Sequence, residues 1–374
     1  MNIQLDDCGK HLNFAPLSLT RPIGNLRIGI FTNDERWKRF LPEAEIGYIT
    51  ERHLSGKFPN VDGMAVNGSV IPNSDFVGAI MELEDDAGLY DGERWLAGNR
   101  NPEKKMLYFG RPVVILENRW DIFESNGEVL KADFELITEG EMMRQLSSTN
   151  MVIGDANRVF IEEGAIVEAS ILNTNEGPIY IGKNAQIMEG SVLRGPIALC
   201  ENATVKMGAK IYGPTTIGPH CKVGGEVNNV LFQGYSNKGH DGFLGNSLIG
   251  EWCNLGADTN SSNLKNDYGF VKAYDYNSKA VLQTEVQFMG LTMGDHSKCA
   301  INTMFNTGTV VGVSCNIFGA EFPPKYVPSF SWGLEGDRFE FDRAIKSANN
   351  MMERRGMELS TDEITILKHI ADID

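Results

Sequence analysis

The sequence is short of positive charge: 34 Lys and Arg stand against 50 Asp and Glu, a net charge of −16. That balance excludes nucleic acid as a partner, because phosphate backbones are held by clustered Lys and Arg. No basic amphipathic stretch is present for a membrane surface, and no apolar run reaches spanning length. The opening MNIQLDDCGK lacks the charged and apolar regions of a signal peptide, so the chain reads as cytoplasmic. The six cysteines (8, 200, 221, 253, 299, 315) form no CxxC and no metal-finger spacing. Cys221, Cys253 and Cys315 fall at small positions of a repeat and Cys299 at an apolar one, which reads as buried filler.

That repeat has a period of six. Ile181, Ile187, Leu193, Leu199, Val205, Ile211, Ile217 and Val223 recur without a slip, and mostly small residues follow four positions later. Neither helix nor strand alternation has this period; a solenoid does. The expected fold is a left-handed parallel β-helix, in which three six-residue units close a triangular coil around the aliphatic column. Gly182 and Gly218 are expected to permit the turns. Ile153, Val159, Ala165 and Ile171 extend the period upstream, and Thr174-Asn-Glu-Gly177 reads as an insertion at a corner. The period fails between Val223 and Phe243, and again through Ser261–Gly269. It returns in Met293, Cys299, Phe305, Val311 and Ile317. Loops on a rigid scaffold are where a site is expected.

Residues 1–145 lack the period. Apolar runs such as Ile28–Phe31, Glu45–Ile49 and Arg111–Leu116 alternate with helical stretches such as Asp34–Phe40, as in an α/β domain. A short helix is expected over Glu139–Leu146. Residues 146–330 make the β-helix domain and 331–374 a helical cap over its open end. In the cap, Phe341, Ile345, Ala348 and Met352 form one stripe. Ser360-Thr-Asp-Glu363 is a capping box for a last helix carrying Ile364, Leu367 and Ala371.

In the first break stands Asn237-Lys-Gly-His240, followed by Gly250-Glu-Trp-Cys-Asn254-Leu-Gly-Ala257 and a loop with Asn263. These segments resemble the acetyltransferase half of the bifunctional N-acetylglucosamine-1-phosphate uridyltransferase/glucosamine-1-phosphate acetyltransferases, in their divergent Bacteroidetes-type branch. The resemblance implies a homotrimer with sites between subunits, acetyl-CoA as co-substrate and a sugar phosphate as acceptor. It implies His240 as general base, since imidazole titrates where an amine can be deprotonated at neutral pH. Asn254 and Asn263 match positions that hold the sugar or orient the histidine. Phe243 stands where the family has a Tyr. An Arg and a Lys that grip the sugar phosphate fall at Tyr212 and at Asn228 or Asn229. Lys222, Lys238, Lys265 and Lys272 are the available replacements. His296 is the other candidate histidine, but His220, His240 and His296 show no close pair for a zinc site of the γ-carbonic anhydrase kind.

Phe14-Ala-Pro-Leu-Ser-Leu-Thr-Arg-Pro22 resembles the segment that follows the phosphate loop of sugar nucleotidyltransferases. Trp120-Asp-Ile-Phe-x-x-Asn126 resembles the end of that domain. The resemblance implies a nucleotide site at Gly9, Arg21 and Ser69, with Mg²⁺ if uridyl transfer operates. The motifs are degenerate. Asp7-Cys-Gly-Lys-His11 keeps one Gly, Ile23 replaces a Lys, and Ser69 replaces a metal-binding Asp, with Asp75 nearby. The alternatives are a nucleotidyltransferase whose β-helix only trimerises it, and a non-catalytic nucleotide-sugar-binding scaffold.

Overall fold

The computed structural model describes residues 1–101, 105–141 and 144–373. The chain opens on the strand Ile3–Asp6, whose Ile3 and Leu5 are fully buried. It pairs in parallel with Ile46–Ile49 on one side and Met64–Asn67 on the other. Arg94–Gly98, Ala87–Asp91 and Lys105–Tyr108 complete a six-stranded sheet. Helices α1 (Asn33–Phe40) and α2 (Ser74–Met81) supply crossovers. A capping box of Thr32 and Glu35 starts α1, and the Asn73 side chain, accepting from the Phe76 N–H, starts α2.

Helix α3 (Asp121–Thr138) buries Ile122, Phe123, Asn126, Val129, Leu130, Asp133, Phe134 and Ile137, a stripe at helical spacing. It begins within the Trp120–Asn126 motif. The helix expected over Glu139–Leu146 is not found among the described residues. Gly140, at φ +78°, turns the chain out of α3, and the described residues up to Leu146 are turn or irregular; Met142 and Met143 lie outside the described residues.

From Met151 the chain winds into the left-handed parallel β-helix. On one side Ile161, Ile181, Leu199, Ile217, Phe232, Ile249, Met293, Val311 and Val327 stack in register, coil upon coil. All belong to one interior cluster with Cys221, Cys253, Cys299 and Cys315, and all six cysteines are free. One corner is a column of left-handed residues: Asn184, Asn202, His220, Tyr235, Trp252, His296, Ser314 and Phe330, with φ between +53° and +61°. The left-handed conformation therefore falls on these residues and not on Gly182 or Gly218. Those glycines are needed for close approach, since a Cβ on Gly218 would lie 2.3 Å from the Gln233 carbonyl oxygen.

Three expectations shift by one residue or one element. Val152 and Leu172 point inward while Ile153 is exposed, and Leu244, not Phe243, fills the interior. A slip of one residue moves a side chain from one face of a strand to the other. The second break is not only a polar loop. It carries the hairpin Lys272–Asp275 with Ala280–Gln283, and its Val271, Ala273, Val286 and Met289 bury against Phe14, Leu17 and Ile122. The C-terminal helices α4 (Phe341–Glu353) and α5 (Thr361–Ile373) do not lie over the open end of the coil. The last coil runs into a hairpin of Ser331–Trp332 with Asp337–Arg338. Ala348 and Met352 of α4 and Leu367 and Ile370 of α5 instead pack with Trp252 and Phe330 of the corner column and with Leu54 and Phe58. The capping box forms as expected, Ser360 and Glu363 each accepting from the other's backbone N–H.

One flat side of the solenoid is apolar outside as well as inside. Phe160, Tyr180, Ala198, Thr216, Leu231 and Leu248 stack as its outward column. Ile30, Leu130, Phe134 and Ile137 cover one end of it, and Phe14, Leu17, Phe123 and Val129 cover the middle. Each aromatic buried there contributes about 2–3 kcal/mol. This docking fixes the N-terminal part along the solenoid and leaves the faces bearing His240 uncovered by it.

Candidate active site

The strand Asn237–Lys238 positions the site. Val223 of one coil pairs with Lys238 of the next, so a lysine occupies the interior column that holds Val205 and Val223 below it. Lys238 is 1 % exposed. Its ammonium donates to the carbonyls of Gly224 at 3.1 Å, His240 at 2.7 Å and Asp241 at 3.3 Å. Burial pushes its pKa down to about 8, against the pull of Asp241 and Asp258. Lys238 is therefore not a substrate ligand; it ties down the turn that lifts His240 into solvent.

His240 stands at the edge of a cavity of about 760 Å³. Asn237 and Asn254, from neighbouring coils in register, line it beside the histidine. Every charged lining residue besides the histidine is a cation: Lys206, Lys222 and Lys298 from the solenoid, Arg354 and Arg355 from the end of α4. Lys222 is held below its ordinary pKa first by burial and then by Arg355, Lys206 and Arg354. By contrast, a groove of about 650 Å³ between α1 and the solenoid mixes Arg27, Lys38 and Arg39 with Glu35, Glu162 and Glu201.

Of the other expected site residues, Asn263 turns away, donating to Asn246 Oδ1 at 2.8 Å. Phe243 is half-buried beside Gly245, Lys272 is exposed on its hairpin, and Lys265 pairs with Asp267 at 3.0 Å. None of the four lines the cavity at His240. Arg354 and Arg355 are not legible from the motif, because they sit more than a hundred residues downstream. The only sequence signal was a pair of arginines just past the end of a helix stripe.

His296 is buried, its Nδ1 has no partner among the described residues, and burial pushes its pKa down to about 4. Beside it, Arg21 donates to Asp295 at 2.5 Å and to Glu251 at 2.9 Å, and the Thr20 hydroxyl also donates to Asp295. Arg21 is thus a tie between the N-terminal part and the solenoid and not a phosphate ligand.

Gly9 is exposed in the turn after Ile3–Asp6, with φ +71° and no atom within 4 Å of a built Cβ. Ser69 is buried, its hydroxyl donating to Asn67 Oδ1. The cations around that turn are already matched by carboxylates: Lys10 and Arg94 by Glu117, Arg100 by Asp6. Asp75 pairs with Arg111 on the exposed side of α2. Gly9, Arg21 and Ser69 do not form one site. Among the described residues no group of three or more His, Cys, Asp or Glu is placed to hold a metal ion by protein ligands alone.

Residues 3–142 match the sugar nucleotidyl transferase family. A 76-residue stretch is 38% identical to the bifunctional protein GlmU of Methanocaldococcus jannaschii, covering 20% of this chain and 18% of that one. The match thus spans less than a fifth of the relative's length. Among solved structures, the polySia-specific acetyltransferase NeuO is 14% identical over 50% of this chain and 82% of its own, with a TM-score of 0.27. The Arabidopsis UDP-N-acetylglucosamine acyltransferase is 14% identical over 57% and 77%, with a TM-score of 0.24. Residues 3–142 thus resemble the sugar nucleotidyl transferase family, and they are joined to a left-handed β-helix.

Proposed function

We propose that the protein is an acetyl-CoA-dependent N-acetyltransferase of nucleotide-sugar biosynthesis, acting on an amino-sugar phosphate as a cytoplasmic homotrimer. Residues 1–145, 146–330 and 331–374 are its three parts. The observation that carries this reading is the cavity at His240, whose other charged lining is wholly cationic in a chain of net charge −16. A site built for a cationic or neutral ligand would not concentrate Lys and Arg where the rest of the chain is short of them.

In the reaction the amino-sugar nitrogen attacks the thioester carbonyl carbon. His240 accepts the proton the amine loses, and the tetrahedral oxyanion is stabilised by backbone N–H groups of the coil. Collapse breaks the C–S bond and the departing thiolate takes up the proton. Asn237 and Asn254 supply hydrogen-bonding groups beside the base.

The test is thiol release from acetyl-CoA with glucosamine 1-phosphate, for wild type and His240→Ala. Loss of a general base predicts a fall of about a hundredfold or more. Equal rates would remove His240 from the mechanism, and turnover with another amino sugar only would reassign the acceptor. A second reading, sugar-1-phosphate nucleotidyl transfer by the N-terminal part, is favoured by the family match of residues 3–142. The carboxylate-matched cations there count against it. UTP- and Mg²⁺-dependent pyrophosphate release that is indifferent to His240→Ala would establish it.

A further inference from the structure

We propose that the end of α4 is the phosphate-binding arm of the His240 cavity, with Arg354 and Arg355 joining Lys206 and Lys222 of the solenoid in one phosphate subsite. This deepens the acyl-transfer reading by naming what binds the substrate's phosphate once positions 212, 228 and 229 carry Tyr and Asn.

Three observations support it. First, the four cations come from the solenoid and from the end of α4 and face one cavity in whose lining no Asp or Glu stands among the described residues; Asp241 and Asp258 line the smaller adjoining cavity that Lys206 also borders. In the N-terminal part, by contrast, Lys10, Arg94 and Arg100 have carboxylates within 3.1 Å. Gathering like charges without counterions is unfavourable unless an anion occupies the space between them. Lys222 is held below its ordinary pKa first by burial and then by Arg355, Lys206 and Arg354, so all three lie close enough to act on it.

Second, the arm is built in place. Arg354 is the C-cap of α4, where the helix dipole favours a cation. The Arg355 guanidinium donates to the His220 carbonyl at 3.1 Å, which orients its plane and leaves further N–H donors for a ligand. Below it, His220, Tyr235 and Trp252 stack at 4.7 and 4.3 Å, a rigid floor for the cavity wall.

Third, α4 is itself anchored. Its partner α5 is held to the N-terminal part by Lys57–Glu363 at 2.7 Å and by the His53–His369 stack at 4.3 Å. The subsite therefore depends on all three parts of the chain.

The ligand chemistry is a phosphate, which both substrates of the proposed reaction carry: coenzyme A on its nucleotide end, the acceptor on its sugar. The experiment is calorimetric titration of wild type, Lys222→Gln and Arg354→Gln with coenzyme A, glucosamine 1-phosphate and glucosamine. Lys210→Gln, the same charge change beside Glu226 on another face, is the control. Each subsite variant is expected to weaken a phosphate-bearing probe at least tenfold while the control does not. Weakening confined to coenzyme A assigns the subsite to the donor, and weakening confined to glucosamine 1-phosphate assigns it to the acceptor. Wild-type affinity in both variants, equal weakening by Lys210→Gln, or a wild type that binds neither phosphate probe overturns the proposal. Thermal melts confirm that each variant folds. Binding needs no turnover, so phosphate-dependent binding in an inactive protein would sink the reaction and leave the subsite standing.

Discussion

Lys238 shows how one residue in the wrong column makes a site. The interior of a β-helix is aliphatic, and an ammonium enters it only where carbonyls replace water. Here three do, and two of them belong to His240 and Asp241. The sequence shows a Lys in a broken repeat next to a His, which reads as a surface cation. The break has a simple cause: fifteen positions separate Val223 from its partner Lys238, against eighteen between Val205 and Val223, so the coil shortens while the stacking continues. Lys238→Met keeps the length and removes the charge and the donors. We expect kcat to fall at least tenfold, because the turn carrying His240 loses its anchor. Stability carries a second signature. The folded pKa near 8 lies below the ordinary 10.5, so between those values the unfolded chain holds a proton that the folded chain has released. Wild-type stability therefore rises with pH across that window relative to Lys238→Met, and falls back as pH drops through 8. Urea unfolding of both proteins at pH 7.5 and 10 reads the difference; a pH-independent difference would mean that Lys238 is not the buried titrating group.

Helix α3 decides how the two larger parts sit together. Its stripe packs on the outward column of the solenoid, with Phe123 in the cluster of Leu231 and Leu248 and Phe134 in that of Phe160 and Tyr180. Asn126 adds a polar pin, accepting from the Gly29 N–H and donating to the Thr216 hydroxyl. Phe123→Ala should destabilise the protein by about 3–5 kcal/mol, as loss of a buried aromatic does. It should also shift a single urea transition, since solenoid and N-terminal residues share these clusters. Two separated transitions would show that the parts unfold independently. The interior of the solenoid was legible because six-fold periodicity is local. Its docking face was legible only in part. In Val159-Phe-Ile161, Ile179-Tyr-Ile181 and Ile197-Ala-Leu199 the middle residue is apolar too, whereas in Val192-Leu-Arg194 and Lys210-Ile-Tyr212 the outward positions are mixed. That contrast marks a covered side, but nothing local says what covers it. The same limit applies to the site. His240, Asn237 and Asn254 lie within two adjacent coils and could be read from the motif. Arg354 and Arg355 reach the cavity only through the tertiary placement of α4.

At the scale of the whole molecule, the three parts meet at one polar junction, buried at Arg21, Asp295 and His296. Thr20, Arg21 and Lys57 come from the N-terminal part, Glu251, Asp295 and His296 from the solenoid, and Glu363 from α5. Burial works against the Glu251 carboxylate, but the charge and hydrogen bond of Arg21, with Lys57 and Arg27, hold its pKa below the ordinary range. His296 faces Asp295, Glu251 and Glu363 on one side of the charge balance and Lys298 on the other, yet burial dominates and keeps the ring neutral, with a pKa of about 4. The sign of the linkage follows. The unfolded histidine titrates near 6.5 and the folded one near 4, so its contribution is fully present above pH 6.5 and is lost as pH falls towards 4. The loss is at most on the order of 3 kcal/mol. His296→Asn tests this, because Asn accepts the left-handed backbone found there at φ +61°. Wild type should lose more stability than His296→Asn between pH 6.5 and 4.5, measured by urea midpoints. Parallel pH curves would show that the ring takes up its proton without penalty. Because α5 rests on this junction and α4 carries the arginines, acid should weaken phosphate-ligand binding in wild type before the protein unfolds. In His296→Asn that weakening should move to lower pH, a shift that calorimetric titration at pH 7 and pH 5 resolves directly.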